Sequence, residues 1–179
     1  MLIEALSRQL GELLKEKNKS IVTAESCTGG WAAQAITQVA GSSCWFDRGF
    51  VTYSNHAKRR MLGVKVRTLN QFGAVSREVA EEMVRGALKK SDAQYGVSIT
   101  GIAGPGGGSE DKPVGTVWLA WSVGGVVDAS QVQLPGDRQT VRAATVILAL
   151  QGLLVRIRRS LESAPEPKKN ATNLLDETP

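Results

Sequence analysis

The stretch TAESCTGGW, Thr23 to Trp31, sets Ser26, Cys27 and Thr28 directly before Gly29 and Gly30. A short apolar run, Ile21 to Ala24, precedes it and a helix-periodic segment follows. Ser26 is therefore expected at the carboxyl end of a strand, where a helix start presents backbone N–H groups with partial positive charge. Such donors can hold an oxyanion, and glycine lets the chain turn sharply and a substrate approach closely. That is the chemistry of acyl transfer to a hydroxyl nucleophile. The plainer reading makes Ser26 or Thr28 a helix cap and leaves the glycines to helix packing; this stretch alone favours it. Cys27 offers a second conceivable nucleophile.

A serine nucleophile needs a base. The run YSNHAKRR, Tyr53 to Arg60, holds the one histidine of the chain, His56, and a competitor, Lys58. Two residues apart on a helix, they point different ways, so the fold can bring only one of them to Ser26. All four basic residues of the run would face solvent in the bland alternative. A solvated lysine, with a pKa of about 10.4, is neutral in roughly one molecule per few thousand at pH 7. Lowering that value by about three units costs on the order of 4 kcal/mol, which desolvation or a neighbouring cation can supply.

The loop GIAGPGGGS, from Gly101, matches neither G-x-x-x-x-G-K-[ST] nor G-x-G-x-x-G. Following a strand, its N–H groups could still form an anion-binding nest with Thr100 and Lys112 alongside; a plain surface loop is as good a reading. One histidine and two widely spaced cysteines, Cys27 and Cys44, give no metal-ligand cluster. No metal and no cofactor are expected.

The elements that must position these groups are legible in the periodicity. Leu2, Ile3, Leu6, Leu10, Leu13 and Leu14 predict an amphipathic first helix ending near Asn18. Ser20 to Ala24 reads as a strand, Thr28 to Val39 as a helix, Trp45 to Ser54 as a strand, and Asn55 to Leu62 as a helix stopped by Gly63. Ser76 caps a helix from Arg77 to Ser91 with acidic residues at its start and Lys89 and Lys90 at its end. Tyr95 to Thr100, Val114 to Val123 and Val126 to Leu134 read as strands, the last two a hairpin through Gly124 and Gly125, before a long helix from about Asp137 to Leu161. The pattern predicts an α/β three-layer αβα sandwich whose mixed central sheet ends in a hairpin. Residues 1–161 form one domain in this reading, and 162–179 a disordered polar tail.

Composition narrows the function classes. The 179 residues are 42% hydrophobic and 22% charged, as in an ordinary globular domain. The net charge of +5 is scattered except at Arg156, Arg158 and Arg159, and aromatics make up only 5%, so a nucleic-acid binder of the stacking type is disfavoured. No apolar run without interruption approaches a membrane span of about 20 residues. No signal-peptide pattern opens the chain and nothing frames the cysteines as a secreted scaffold, so the expected setting is the cytoplasm.

Read in order, TAESCTGGW, GSSCWFDRGFVTYSNHAK, LGV, GAVS, SITGIAGPGGGSEDKPVGTVW and PGDRQTVR resemble the C-terminal domain family of the competence/damage-inducible protein CinA. The resemblance runs from about the first helix to the last and leaves out the tail. That family includes stand-alone bacterial nicotinamide-nucleotide amidohydrolases. The resemblance implies hydrolysis of the carboxamide of nicotinamide mononucleotide to nicotinate mononucleotide and ammonia, in pyridine nucleotide salvage and without metal. Carried onto this chain, it makes Ser26 the nucleophile and Lys58 its base. Thr28, Gly29 and Gly30, with Tyr53, Asn55, Thr100, Gly101, Gly104 and Gly106, are the candidates for holding substrate. Arg138 is a candidate phosphate partner, from the same subunit or across an interface of an expected homo-oligomer. The implied partner is thus a small molecule, with no nucleic acid or membrane involved. The alternative is a catalytically silent paralogue that binds a nucleotide or a protein through the same pocket. A third, weaker reading is an anion-binding module using Arg156 to Arg159, marked by steep salt dependence.

Overall fold

The structure, a computed structural model, describes residues 2–162. Helix α1 (Leu2–Glu16) buries Leu6, Leu10 and Leu14, one stripe at four-residue spacing. Strand β1 (Ile21–Glu25) is buried along its whole length because it lies inside the sheet, with β2 (Phe46–Val51) on one side and β3 (Tyr95–Gly101) on the other. Both neighbours run parallel to it, whereas β4 (Thr116–Val123) and β5 (Val126–Gln133) continue the sheet antiparallel, giving the order β2-β1-β3-β4-β5. Helix α2 (Trp31–Thr37) follows β1, and α3 (Asn55–Leu62), α4 (Val66–Phe72) and α5 (Arg77–Lys89) follow β2. The chain ends in α6 (Arg138–Glu162).

One face of the sheet carries α1, α2 and α6, whose Leu10, Ile36 and Leu150 share a core with Trp45, Val97 and Leu119. Helix α5 covers the other face through Val79, Met83 and Val84, with α3 and α4 packed beside it. The expected αβα sandwich with a mixed sheet is therefore the observed fold.

Element ends differ from expectation for local reasons. Helix α2 starts at Trp31, not Thr28, because Gly29 (φ 64°) and Gly30 (φ 97°) turn left-handed. Strand β2 stops at Val51, and β4 begins at Thr116 rather than Val114. Helix α4 escapes sequence reasoning altogether. It has no side-chain cap of its own; instead Glu82 of α5 accepts from Lys65 N at 2.8 Å and from Thr68 Oγ1 at 2.9 Å, so a tertiary contact anchors its start. Helix α6 is, by length and composition alone, apolar enough to cross a membrane, against the expectation that no segment is. Half of its most apolar window is buried inside this fold, which accounts for that composition. Apart from Glu162, in the last turn of α6, the tail expected to be disordered lies outside the described residues.

Gly86 holds α3 in place. A Cβ there would sit 1.9 Å from Leu62 O, at the end of α3, and backbone cannot step aside as a side chain can. Gly86→Ala is expected to destabilise the protein by about 2–3 kcal/mol, read as a lower denaturant midpoint at unchanged m-value. An unchanged midpoint would show that α3 tolerates displacement.

Candidate active site

Ser26 stands one residue past β1, its N–H donating to Ile99 O of β3 at 3.0 Å. Lys58 projects from α3, whose first turn Ser54 caps by accepting from Ala57 N at 3.0 Å. The Lys58 amine is 2.8 Å from Ser26 Oγ and donates to Thr52 O at 2.9 Å. Thr52 is itself tied to the end of β1 by its N–H, 2.8 Å from Glu25 O. Lys58 is only 1% exposed and Ser26 8%.

Burial pulls the Lys58 pKa from its ordinary value near 10.5 down to about 8, with the adjacent Cys27 acting weakly in the opposite sense. At pH 7 roughly one Lys58 in ten is then neutral, compared with one in a few thousand for a solvated lysine. A neutral amine can accept the Ser26 O–H along the same contact that the ammonium uses as a donor. The linkage sign is fixed: between about pH 8 and 10.5 the unfolded chain binds a proton that the native state does not, so stability rises with pH across that window. Catalysis that needs the neutral amine is expected to rise with pH to a plateau above about 8, seen as an acidic limb of kcat/KM with that midpoint. A profile flat from pH 6 to 9 would remove Lys58 as the base.

Cys27 also lines the pocket, but burial pushes its thiol up to about 11 and keeps it protonated at neutral pH. Of His56 and Lys58, the fold brings Lys58 to Ser26. His56, in the first turn of α3, is exposed and does not line the pocket.

The pocket has a volume of about 280 Å³ and brings together Ser26, Lys58, Tyr53, Asn55, Thr100, Gly101, Gly104, Gly106 and Arg138 from four separated segments. Gly101 must lack a side chain, since a Cβ would meet Val117 Cγ2 at 2.7 Å. Arg138 ties the rim together, donating to Gly104 O at 2.8 Å and to the Tyr53 hydroxyl at 2.7 Å within one chain. Thr28, Gly29 and Gly30 fall outside this lining. They shape the turn behind Ser26, with Thr28 fully buried. Lys112 and the Thr100 hydroxyl, considered above as anion ligands, are otherwise engaged. Lys112 donates to Phe72 O and Val75 O, both at 2.8 Å, and Thr100 Oγ1 to Ala74 O at 2.8 Å, bracing the loop between α4 and α5.

Glu25, which no sequence motif marks, closes the turn. Its buried carboxylate accepts from Gly30 N and Ala32 N at 3.0 Å and from Ala33 N at 2.9 Å, occupying the start of α2. The expected oxyanion donors of that helix are thus already satisfied. Among the described residues the N–H groups left without another residue as acceptor in this turn are those of Cys27 and Thr28. The signal for Glu25, an acid shortly ahead of a helix start, becomes readable only once that start is moved to Trp31. Among the described residues no three of His, Cys, Asp or Glu gather to hold a metal ion.

The CinA C-terminal domain model matches residues 3–157 of this chain. A nicotinamide-nucleotide amidohydrolase, PncC, of Pseudomonas putida is 56% identical over 152 residues, 85% of this chain and 95% of that protein. PncC of Escherichia coli K12 is likewise 56% identical, over 83% of this chain and 90% of its own. The crystal structure of the competence/damage inducible protein CihA from Agrobacterium tumefaciens superposes with a TM-score of 0.85 at 49% identity, covering 87% of this chain and 95% of that one. With that match spanning the whole layered domain and both halves of its pocket, this chain belongs to the CinA C-terminal domain family.

Proposed function

We propose that this protein hydrolyses the carboxamide of nicotinamide mononucleotide to nicotinate mononucleotide and ammonia, with Ser26 as nucleophile and Lys58 as base. The observation that carries the reading is the 2.8 Å contact between a hydroxyl and a buried amine of lowered pKa at the floor of a small pocket. The similarity to PncC amidohydrolases supports the choice of substrate.

Neutral Lys58 takes the Ser26 proton as Oγ attacks the carboxamide carbon. The oxyanion that forms is within the field of the Cys27 and Thr28 N–H groups. Protonated Lys58 then gives its proton to the departing nitrogen, which leaves as ammonia and an acyl-serine remains. Water, deprotonated by the same amine, attacks that ester, Ser26 recovers its proton and nicotinate mononucleotide departs. A pyridinium ring in the pocket repels a proton on Lys58, so bound substrate favours the neutral base. Thr52 O, which accepts from the amine at 2.9 Å, holds it in place throughout.

The unpaired Cys27 and Cys44 suit a reducing cytoplasm. Exposed Val51, Tyr53, Val66 and Phe72 would suit burial in a homo-oligomer, a state that light scattering measures. The functional test is ammonia release from nicotinamide mononucleotide by the purified protein. Turnover at about 1 s⁻¹ or faster supports the reading. Saturable binding of the nucleotide without turnover would replace it with the silent paralogue.

A further inference from the structure

Residues 72–75 join the end of α4 to Ser76, the cap of α5, and every carbonyl among them takes a side-chain donor. Phe72 O and Val75 O both accept from the Lys112 ammonium at 2.8 Å, Gly73 O accepts from Ser76 Oγ at 2.9 Å, and Ala74 O from Thr100 Oγ1 at 2.8 Å. Only the Ser76 bond is local. The other three come from β3 and from the glycine-rich loop that follows it, 26 to 40 residues further along the chain.

Both partners of this clasp belong to the reaction pocket. Ala74 and Val75 line it from the link, and Thr100, Gly101 and Gly104 from β3 and the loop, whereas Lys112 itself does not. A link outside helix and sheet has no ladder to hold it at a set distance from β3, so these bonds do that. Lys112 is well placed for the task. Its N–H donates to Ser109 Oγ at 3.2 Å and its carbonyl accepts from Ser109 N at 2.9 Å, so the ammonium is presented from a closed turn. At the other end of the loop, Ile102 N donates to Thr116 O at 2.9 Å and Gly115 N to Ile102 O at 2.7 Å. Walls built largely of alanine and glycine carry no side chain that could swing to absorb a change in spacing, and the width of the pocket follows the backbone directly.

We propose that Lys112 is a specificity-determining positioning residue: by clasping residues 72–75 to the glycine-rich loop it fixes the spacing of two pocket walls, and so restricts the site to carboxamides on a single flat ring without further substituents. The clasp stands on the hydrogen bonds alone. The substrate class rests on the amidohydrolase reading.

Amide hydrogen exchange of the intact protein tests the clasp without any turnover. Lys112→Met keeps most of the stem and removes the donors. Residues 73–76 are expected to exchange at least ~10-fold faster in Lys112→Met than in wild type, and within about threefold of wild type in Lys112→Arg, whose guanidinium can still reach two carbonyls. Lys112→Gln, polar but too short to span both carbonyls, should behave as Lys112→Met does and serves where methionine impairs folding. Equal protection in wild type and in these two variants overturns the clasp.

For specificity, the substrates are nicotinamide mononucleotide and its analogues methylated at C4, C5 or C6 of the ring. Wild type is expected to reject at least one analogue by ~100-fold in kcat/KM, and Lys112→Met to weaken that discrimination at least ~10-fold, with Lys112→Arg restoring it. The acidic limb of kcat/KM should keep its midpoint at about 8 in Lys112→Met, because Lys58 is held by Thr52 O and not by this link. Discrimination unchanged within about twofold, an equal loss on all four substrates, a wild type that accepts every analogue, or a shifted midpoint overturns the specificity role. A wild-type protein that leaves nicotinamide mononucleotide intact overturns the amidohydrolase reading instead, and the exchange measurement still decides the clasp.

Discussion

Ser26→Ala is expected to lower kcat for ammonia release from nicotinamide mononucleotide by at least ~10⁴-fold, with the protein still folded. The magnitude follows from the role. Without Oγ no acyl-enzyme forms, and what remains is the contribution of binding and of backbone donors to direct attack by water. Stability should change by less than about 1 kcal/mol. Alanine fits the same backbone, Ser26 N still donates to Ile99 O, and Lys58 keeps its bond to Thr52 O. Cys27→Ala is the control. A neighbouring thiol held up at about 11 supplies almost no thiolate at neutral pH, so its removal should cost no more than about threefold. Activity that survives in Ser26→Ala and vanishes in Cys27→Ala would reverse the assignment.

Lys58→Met is expected to lower kcat by at least ~10³-fold and, at the same time, to make the protein more stable at pH 7. At that pH most Lys58 is charged within the core, and a depression from 10.5 to about 8 corresponds to an unfavourable free energy of about 3 kcal/mol. Methionine removes that term while filling most of the volume. It also forfeits two hydrogen bonds, each worth about 1 kcal/mol, so the net gain expected is on the order of 1 kcal/mol. Lys58→Arg should not restore activity, since a guanidinium keeps its proton at every accessible pH. A lower Tm for Lys58→Met would mean that the amine is favourable where it stands, and that burial is not what lowers its pKa.

The strand that ends just before Ser26 and the helix carrying Lys58 follow from apolar runs bounded by glycine and polar caps, and such local patterns fix element type well. Which base faces the hydroxyl does not follow. His56 and Lys58 sit on the same short helix, and only the packing of α3 against α5, permitted by Gly86, turns Lys58 inward. The role of Glu25 was hidden for a related reason, because its three acceptor contacts exist only once Gly29 and Gly30 have turned the chain. Likewise, α4 depends on Glu82, a partner 14 residues beyond Thr68, which periodicity within a window cannot detect. Thr28, Gly29 and Gly30, substrate candidates through the resemblance, do not line the pocket, because the left-handed turn at the two glycines intervenes between Ser26 and α2.

The account rests on Lys58 losing its proton near physiological pH because the fold encloses it. Titrating the ¹³Cε resonance of Lys58, identified by its absence from Lys58→Arg, measures this without any assay of turnover. The expected midpoint is about 8. A midpoint at the ordinary value near 10.5 would leave Ser26 without a base and contradict the mechanism.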